Sequence, residues 1–248
     1  VWQMSFGTVV PPVQWAIKGD GVHGDFASPR HSTLEYALER ERGYAPSGVL
    51  WCPGLLTMPI ALDHALDLVL STDGIPAVAD LDTEDLYRGE RQRRQSLAGR
   101  VMNADVPLMR ELALAADTFL IAPAGRQHDL AEAARHGELS RTIVAGYHWF
   151  TDWGRDSMIS LEGLALCTGR SDEAAAILQV FAHHVRDGLI PNLFPEGEQE
   201  GLYHTADATL WFVNAIDRYA HYTDDRRLVT ELLPAVESVI EHHLRSEE

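Results

Sequence analysis

The sequence predicts a mainly α-helical protein in which a β-rich segment, residues 1–80, precedes a helical segment, residues 81–248. In the first segment short apolar runs alternate with turn residues such as Lys18-Gly19-Asp20-Gly21, a pattern typical of strands joined by turns. In the second segment apolar residues recur at intervals of three and four, as on the buried face of a helix. Short turns alternate there with longer loops, which favours antiparallel helical hairpins. We therefore expect two domains that meet near residue 80.

Within the β-rich segment, Ala65 to Ser71 is predicted to be a strand that ends at Asp73-Gly74. Thr83, followed by two acidic residues, is a typical helix start, and the helix is expected to reach Met102. A second helix is expected from Val106-Pro107, because proline is favoured in the first helical turn. Residues 122–146 contain one proline and three glycines and are predicted to form a long surface connection.

Four further helices are expected after this connection. Asp156 is expected to cap the first, which would end at Gly169, and Ser171-Asp172-Glu173 would cap the second, which would end at Gly188. The third is expected from about Thr205 to Tyr222, and the last from about Asp225 to the end of the chain. The loops that precede or follow every second helix would then lie at one end of the bundle.

The composition of the 248-residue chain is that of a globular protein, with 46% hydrophobic residues and a formal net charge of -17. Such an acidic surface repels phosphate backbones and anionic lipids, so we expect no nucleic acid partner and no membrane partner. Cys52 and Cys167 lack metal-binding spacing and are predicted to be reduced core residues of a cytoplasmic protein. The chain begins at Val1 and its last helical pattern runs to Glu248, so we expect a piece of a longer protein.

Three aromatic-rich loops predict a carbohydrate site, because aromatic rings stack on the apolar faces of sugars while carboxylates and amides bind their hydroxyl groups. The candidate residues are Trp149, Trp153, Arg155 and Asp156 in the first loop, Asn192 in the second, and Tyr203, His204, Asp207 and Trp211 in the third. The tryptophans are candidates for stacking, and Asn192 for hydrogen bonding from a rigid turn.

Asp207 is the candidate general acid for glycoside hydrolysis, because it begins an apolar helix whose surroundings would raise its pKa. The alternative interpretation is that Asp207 only caps this helix. Arg155 and Asp156 form a charged pair suited to holding sugar hydroxyls, or else a structural salt bridge. Glu196, Glu198 and Glu200 are each a candidate second carboxylate, although a solvated acidic loop is the simpler interpretation. The paired histidines at 183–184 and 242–243 lack zinc-site spacing, so no metal is assigned.

Taken together, these motifs resemble a known family. Tyr147-His148-Trp149-Phe150 with Trp153-Gly154-Arg155-Asp156, then Gly188-Leu189-Ile190-Pro191-Asn192, then Tyr203 with Asp207-Ala208-Thr209-Leu210-Trp211-Phe212 are similar to the amylo-alpha-1,6-glucosidase domain of glycogen debranching enzymes. Upstream, Glu39 to Tyr44 followed by Leu50, Pro53 and Gly54 is similar to the N-terminal β domain of its bacterial members. His148 and His204 depart from the family pattern, which has proline and asparagine there.

The resemblance implies an (α/α)6 toroid preceded by a β-sandwich. Residues 1–80 would then be the C-terminal part of the sandwich and residues 81–248 the first half of the toroid. It implies inverting hydrolysis of alpha-1,6 branch linkages in glycogen or a limit dextrin, without a metal or organic cofactor. Asp207 would be the general acid, Arg155 and Asp156 would hold the non-reducing glucose, and the catalytic base would lie beyond Glu248.

Other functions remain open on the same fold. A disaccharide phosphorylase, a trehalase or a glucoamylase would keep the helical toroid and change the reaction or the substrate, and a glucan-binding protein would keep the fold without catalysis. A carboxylate at position 207 between aromatic residues favours an enzyme, because binding alone does not require an acid there.

Overall fold

The computed structural model describes residues 2–4, 12–19, 21–27, 29–59, 65–72, 80–123, 126–137, 139–147, 150–195 and 200–245. The described chain is mainly α-helical, as predicted. It divides into two compact units, residues 1–87 and 88–248. The β-sandwich, the half toroid and the domain boundary at residue 80 stay predictions.

The first unit contains seven strands and one short helix among its described residues. They are β1 (Trp2–Met4), β2 (Val13–Lys18), β3 (His23–Asp25), β4 (Arg30–Glu35), α1 (Ala37–Glu41), β5 (Ser47–Cys52), β6 (Leu55–Thr57) and β7 (Asp67–Ser71). All pairings are antiparallel, in a three-stranded sheet of order β1-β2-β7 and two pairs, β3-β6 and β4-β5. Strand β7 agrees with the strand predicted from Ala65, and its predicted turn at Asp73-Gly74 lies outside the described residues.

Strand β2 carries the buried apolar residues of this unit, among those that the structure describes. Trp15 and Ala16 are 6% and 1% exposed, and the Trp15 ring meets the Phe26 ring edge to face at 5.1 Å. Every described residue of β4 is exposed. Helix α1 was not predicted, because a five-residue helix gives no apolar periodicity.

The remaining helices and strands build the second unit, except that α2 begins in the first unit. They are α2 (Thr83–Arg100), α3 (Pro107–Asp117), β8 (Leu120–Ile121), α4 (Gln127–His136), β9 (Thr142–Gly146), β10 (Phe150–Asp152), α5 (Gly154–Leu161), α6 (Ser171–His183), α7 (Asp207–Tyr222) and α8 (Arg226–Arg245). A π-helical turn, Glu162–Leu166, continues α5. Strands β8, β9 and β10 form an antiparallel sheet with β9 in the middle.

The predicted surface connection over residues 122–146 is wrong. This stretch contains α4 and β9, and β9 is the centre of the sheet, with Thr142 fully buried and Ile143 1% exposed. The β-branched run of Thr142, Ile143 and Val144 favours a strand. Gly137 ends α4 in the left-handed conformation with φ of 69°, so this glycine marks a helix end within the stretch.

The core of the second unit lies between α5, α6, α7 and α8. Its largest fully buried side chains include Phe181 on α6 and Phe212 on α7. Helix α5 packs against α7, and α7 also contacts α6 and α8. Each of these helices therefore buries one apolar face against its neighbours, and their antiparallel pairing as hairpins stays a prediction.

The predicted helix ends are partly correct. Gly169, with φ of 72°, follows the π turn and ends the first of these helices as expected. Helix α6 ends at His183 rather than Gly188, because Asp187 and Gly188 both have positive φ and form a separate turn. Asp156 does not cap α5, since Trp153 occupies the capping position without a side-chain bond.

The capping of the next helices also differs from expectation. Arg170 occupies the capping position of α6 without a side-chain bond, and Ala206 occupies that of α7, so Asp207 is the first helical residue and not the cap. Acidic residues still lie in the first turns of both helices, where the helix dipole favours negative charge.

The two cysteines are free, as predicted, but neither is a core residue. Cys52 is half-buried, whereas Cys167 is exposed and its Sγ lies 3.2 Å from the hydroxyl oxygen of Tyr222. Cys167 follows the π turn, at the surface end of its helix. None of the described helices is both long enough and apolar enough to cross a membrane.

Candidate active site

Three of the predicted site residues meet where α5 and α7 begin. The backbone N–H of Gly154 donates to the carbonyl oxygen of Asn192 at 3.0 Å, and the backbone N–H of Arg155 donates to Asn192 Oδ1 at 3.1 Å. The Arg155 side chain in turn contacts Asp207. Arg155, Asn192 and Asp207 therefore form one group of neighbouring residues, although 52 positions separate the first from the last.

The close approach of two backbones fixes this arrangement. A Cβ atom at Gly154 would lie 2.2 Å from the carbonyl oxygen of Pro191, so no larger residue fits without a backbone shift. Trp153 and Leu202 both form isolated β-bridges with Leu193. The loop that carries Asn192 is thus tied on one side to the start of α5 and on the other to the segment that leads to α7.

Asn192 is buried and serves the protein's own backbone. It is 1% exposed, its side-chain oxygen accepts the Arg155 N–H, and its own N–H donates to the carbonyl oxygen of Leu202 at 2.9 Å. The N–H groups of a first helical turn have no partner within the helix, so Asn192 satisfies one of them. Direct hydrogen bonding of Asn192 to a sugar does not fit this burial, and we interpret Asn192 as a residue that positions Arg155.

Asp207 forms a two-point ion pair with Arg155. Arg155 Nε donates to Asp207 Oδ2 at 2.7 Å and Nη2 donates to Oδ1 at 2.8 Å, so both carboxylate oxygens accept a hydrogen bond. These hydrogen bonds from Arg155 lower the pKa of Asp207 and raise that of the guanidinium.

The structure corrects two expectations about these charges. The pKa of Asp207 is lowered rather than raised, because its side chain is 52% exposed and faces a cation instead of apolar surroundings. Arg155 pairs with Asp207 rather than with its neighbour Asp156, because consecutive residues of a helix point in different directions.

Asp156 lies in the first turn of α5 and is exposed. It lines an open cavity of about 300 Å³ together with Phe119, Ile143, Val144, Ala145, Ile159, Ser160 and Leu164. The walls of this cavity are mainly apolar, and Asp156 contributes a charged group to them.

The aromatic candidates that the structure describes lie on the same segments as this group of residues. Trp153 is half-buried and meets the exposed Phe150 edge to face, with ring centroids 6.0 Å apart. Tyr203 is half-buried, and its hydroxyl donates to the carbonyl oxygen of His184 at 2.7 Å. Trp211 on α7 is 39% exposed.

His204 and Glu200 are exposed. The remaining sequence candidates, Trp149, Glu196 and Glu198, lie outside the described residues, and so does the unusual His148.

Sequence reasoning missed a buried charged network beside the start of α5. Arg126 is 3% exposed, and its Nη2 forms an ion pair with Asp152 Oδ2 at 2.9 Å. Thr142 Oγ1 donates to the same Asp152 oxygen at 3.1 Å, and the Arg126 guanidinium lies over the Phe194 ring at 4.1 Å from its centroid. Asp152 directly precedes Trp153, so the network anchors the strand that leads into the site.

Asp129 on α4 is the other acidic residue of this buried network. Its Oδ2 lies 3.5 Å from Arg126 Nε, and both of its oxygens lie 3.2 Å from His184 Nε2. Burial raises the pKa of Asp152 and lowers that of Arg126. For Asp129, burial acts to raise the pKa, but His184, Arg126 and His128 together outweigh it and the pKa is lowered. The only sequence signal for this network was an aspartate next to the Trp153-Gly154-Arg155-Asp156 motif.

A metal ion has no prepared site among the residues described. No group of three or more histidine, cysteine, aspartate or glutamate side chains there is arranged to bind one. His183 and His184 line a cavity of about 310 Å³ with residues of α4, but they do not converge on a common point with a third ligand.

Comparison with known proteins places the chain beside one family. A family model described as amylo-alpha-1,6-glucosidase matches residues 115–248, which contain all of the site residues above. The glycogen debranching enzyme of Saccharomyces cerevisiae is 44% identical over 94 residues, which are 36% of this chain and 6% of that protein. The chain thus matches only a small part of that relative's length. No solved structure matches the chain.

Proposed function

Because the chain belongs to the amylo-alpha-1,6-glucosidase family, a family of glycoside hydrolases, we propose that it contributes to hydrolysis of alpha-1,6 branch linkages in glycogen or a related alpha-glucan. The yeast relative is named a glycogen debranching enzyme, which supports the same substrate class. The structural observation that carries the proposal is the contact between Arg155 and Asp207 where α5 and α7 begin.

Asp207 is the proposed general acid. Glycoside hydrolysis needs one carboxyl group that protonates the leaving oxygen and one carboxylate that activates water, on opposite sides of the sugar in the inverting mechanism. Asp207 lies at the first position of α7, is exposed to an incoming ligand, and neighbours a guanidinium that can bind hydroxyl groups. The proposal assigns the acid and leaves the second carboxylate open.

Arg155 and Asp156 are the proposed ligands of the glucose hydroxyls, with Trp153, Tyr203 and Trp211 as aromatic neighbours. Both charged residues lie in the first turn of α5. The backbone of this turn is held in place by hydrogen bonds from Gly154 and Arg155 to Asn192. The exposed surfaces of Trp211 and of Phe150 beside Trp153 offer apolar faces for a sugar ring. Such a site needs no cofactor to hold a neutral sugar.

Release of free glucose from a phosphorylase-limit glycogen dextrin tests the proposal, with the complete gene product compared with its Asp207→Asn variant. We expect the variant to lose roughly 10²- to 10⁴-fold in kcat, which is the usual contribution of a positioned general acid. Activity that survives the substitution would exclude Asp207 as the acid. Activity only with added phosphate, or only on a disaccharide, would instead indicate a phosphorylase or another glucosidase.

A further inference from the structure

We infer that Arg155 acts as a switch on the proposed acid: it holds Asp207 as a carboxylate, and a sugar must draw the guanidinium away before Asp207 can donate a proton. This inference rests on the proposed function, in which Asp207 is the general acid. It assigns Arg155 a second role beside sugar binding, namely control of when the acid carries its proton.

The geometry of the pair carries the first step. Two N–H groups of Arg155 donate to the two different oxygens of Asp207, at 2.7 and 2.8 Å. A carboxylate with both oxygens accepting charge-assisted hydrogen bonds is held in its ionised form. The lowered pKa of Asp207 agrees with this. While the pair is intact, Asp207 has no proton for a glycosidic oxygen.

The pair can open without disturbing the core. The side chains of Arg155 and Asp207 are 39% and 52% exposed, whereas the paired guanidinium of Arg170 is only 6% exposed and is enclosed by its partners. The Arg155 backbone is fixed separately, through its N–H bond to Asn192 Oδ1. The guanidinium can therefore rotate away while the helix start keeps its place.

A neutral, hydroxyl-rich ligand suits this exchange. Its oxygens can accept the N–H groups of Arg155, and it brings no negative charge that would oppose the remaining carboxylate. Once the guanidinium binds sugar hydroxyls, Asp207 loses the cation that kept it ionised and lies against the ring of the ligand, so its affinity for a proton rises.

In the proposed reaction Asp207 carries one proton from solvent to the leaving oxygen. Asp207 takes it from solvent when the pair opens and passes it to the glycosidic oxygen as the bond from that oxygen to the sugar carbon breaks. The attacking water forms the new bond to carbon and gives one of its protons to the second carboxylate, which later releases it to solvent. Asp207 returns to the carboxylate form and can pair with Arg155 again.

Titration of the Asp207 carboxyl group by ¹³C NMR tests the switch without depending on turnover. The complete gene product would carry ¹³C in its aspartate carboxyl groups, and the resonance absent from Asp207→Asn would identify residue 207. Arg155 is the charged group in contact with Asp207; Asp156 follows Arg155 on α5, and His204 precedes Asp207 in the loop before α7. The test substitution, Arg155→Gln, changes one of them and leaves the other two.

We expect the pKa of Asp207 to be low in the wild-type protein, to rise in Arg155→Gln, and to rise in the wild-type protein with saturating D-glucose, the product of the proposed reaction. The matched control is Arg218→Gln, which removes a single arginine from the pair of Arg218 with Glu162, 2.7 Å apart and of similar exposure. That variant should leave the Asp207 titration unchanged.

Two results would overturn the switch. One is a pKa of Asp207 that stays low in Arg155→Gln. The other is a pKa of Asp207 that stays low in the wild-type protein although saturation-transfer NMR shows that glucose binds. Failure of the proposed function looks different. In that case the wild-type protein releases no glucose from the limit dextrin, while the comparison of wild type with Arg155→Gln still decides whether Arg155 keeps Asp207 ionised.

Discussion

Gly154 is the residue on which the geometry of the site most directly depends. Its backbone N–H bonds the Asn192 carbonyl group, and the missing side chain lets the Pro191 carbonyl oxygen come within 2.2 Å of where a Cβ would stand. The approach brings Asn192 Oδ1 to the Arg155 N–H. Any side chain at residue 154 therefore pushes the start of α5 away from the loop of Asn192, and these two segments position Arg155, the residue proposed to bind the sugar.

Gly154→Ala is expected to lower the free energy of unfolding by about 1–3 kcal/mol, because the added methyl group meets rigid backbone. The matched control is Gly89→Ala in α2, where a Cβ would meet nothing within 4 Å. That substitution should raise the free energy of unfolding by about 0.5–1 kcal/mol, since alanine favours helix more than glycine. Urea denaturation of both variants measures the difference, and equal effects would show that the contact with Pro191 is unimportant.

The sequence predicted which site residues lie close together better than it predicted how they interact. The aromatic, glycine-containing loops indicated Arg155, Asn192 and Asp207, and the structure brings all three together. The pairing of Arg155 with Asp207 was not predictable, because it depends on how α5 lies against α7. The burial of Asn192 likewise follows from loop packing and leaves no periodic pattern in the sequence.

Among the elements, α4, β9 and β10 are held together by the charged network of Arg126. This arginine contacts Asp129 on α4 and Asp152 on β10, and Thr142 on β9 bonds the same Asp152 oxygen. The side chains of Arg126 and Asp152 are 4% and 11% exposed, so little solvent screens the pair. The network thus fixes the strand that delivers Trp153 and the start of α5.

Arg126→Met is expected to lower the free energy of unfolding by about 3–5 kcal/mol, because it leaves buried Asp152 and Asp129 without their shared cation. Methionine keeps much of the packing on Phe194. Arg93→Met is the control, since Arg93 also pairs with two acidic residues but its side chain is 50% exposed. Loss there should not exceed about 1 kcal/mol. Comparable losses in the two variants would contradict a special role for the buried network.

The elements with long apolar periodicity were predicted well, and those without it were not. Helices α7 and α8 begin within two residues of their predicted starts, because each has a full apolar stripe. The short elements α4, β8 and β9 were missed, since β8 and β9 depend on pairing with each other and α4 begins beside the buried Arg126. The pattern of apolar residues in a single sequence predicts neither the pairing of short strands nor the burial of an arginine.

The two units of the molecule differ in how much apolar surface they bury. Among the residues of the first unit whose side chains are described, the buried apolar ones are Trp15 and Ala16, whereas the second unit has a continuous core around Phe181 and Phe212. The domain boundary at residue 80, the sandwich and the toroid stay predictions.

Hydrogen exchange of the complete protein is expected to show this difference between strands of the same kind. Amides of β9, where Ile143 is 1% exposed, should exchange much more slowly than those of β5, where Val49 is 66% exposed. Exchange is slow where backbone bonds are covered by packed apolar side chains. Mass spectrometry of peptides from each strand measures it, and equal rates would show that the two units are equally well packed.

The π-helical turn Glu162–Leu166 has a consequence for how the gene tolerates changes of length. Its N–H groups bond five residues back, as Cys167 does to Glu162, so the turn holds one residue more than an α-helical turn would. Removal of one codon here would leave a regular α-helix and keep the later residues on their present faces, because the deletion takes out only the extra residue. The same deletion in a regular helix would rotate everything after it by about 100°. Arg170 should therefore still reach Asp117 after a deletion in the π turn, so this is where the helix is expected to tolerate the loss of one residue.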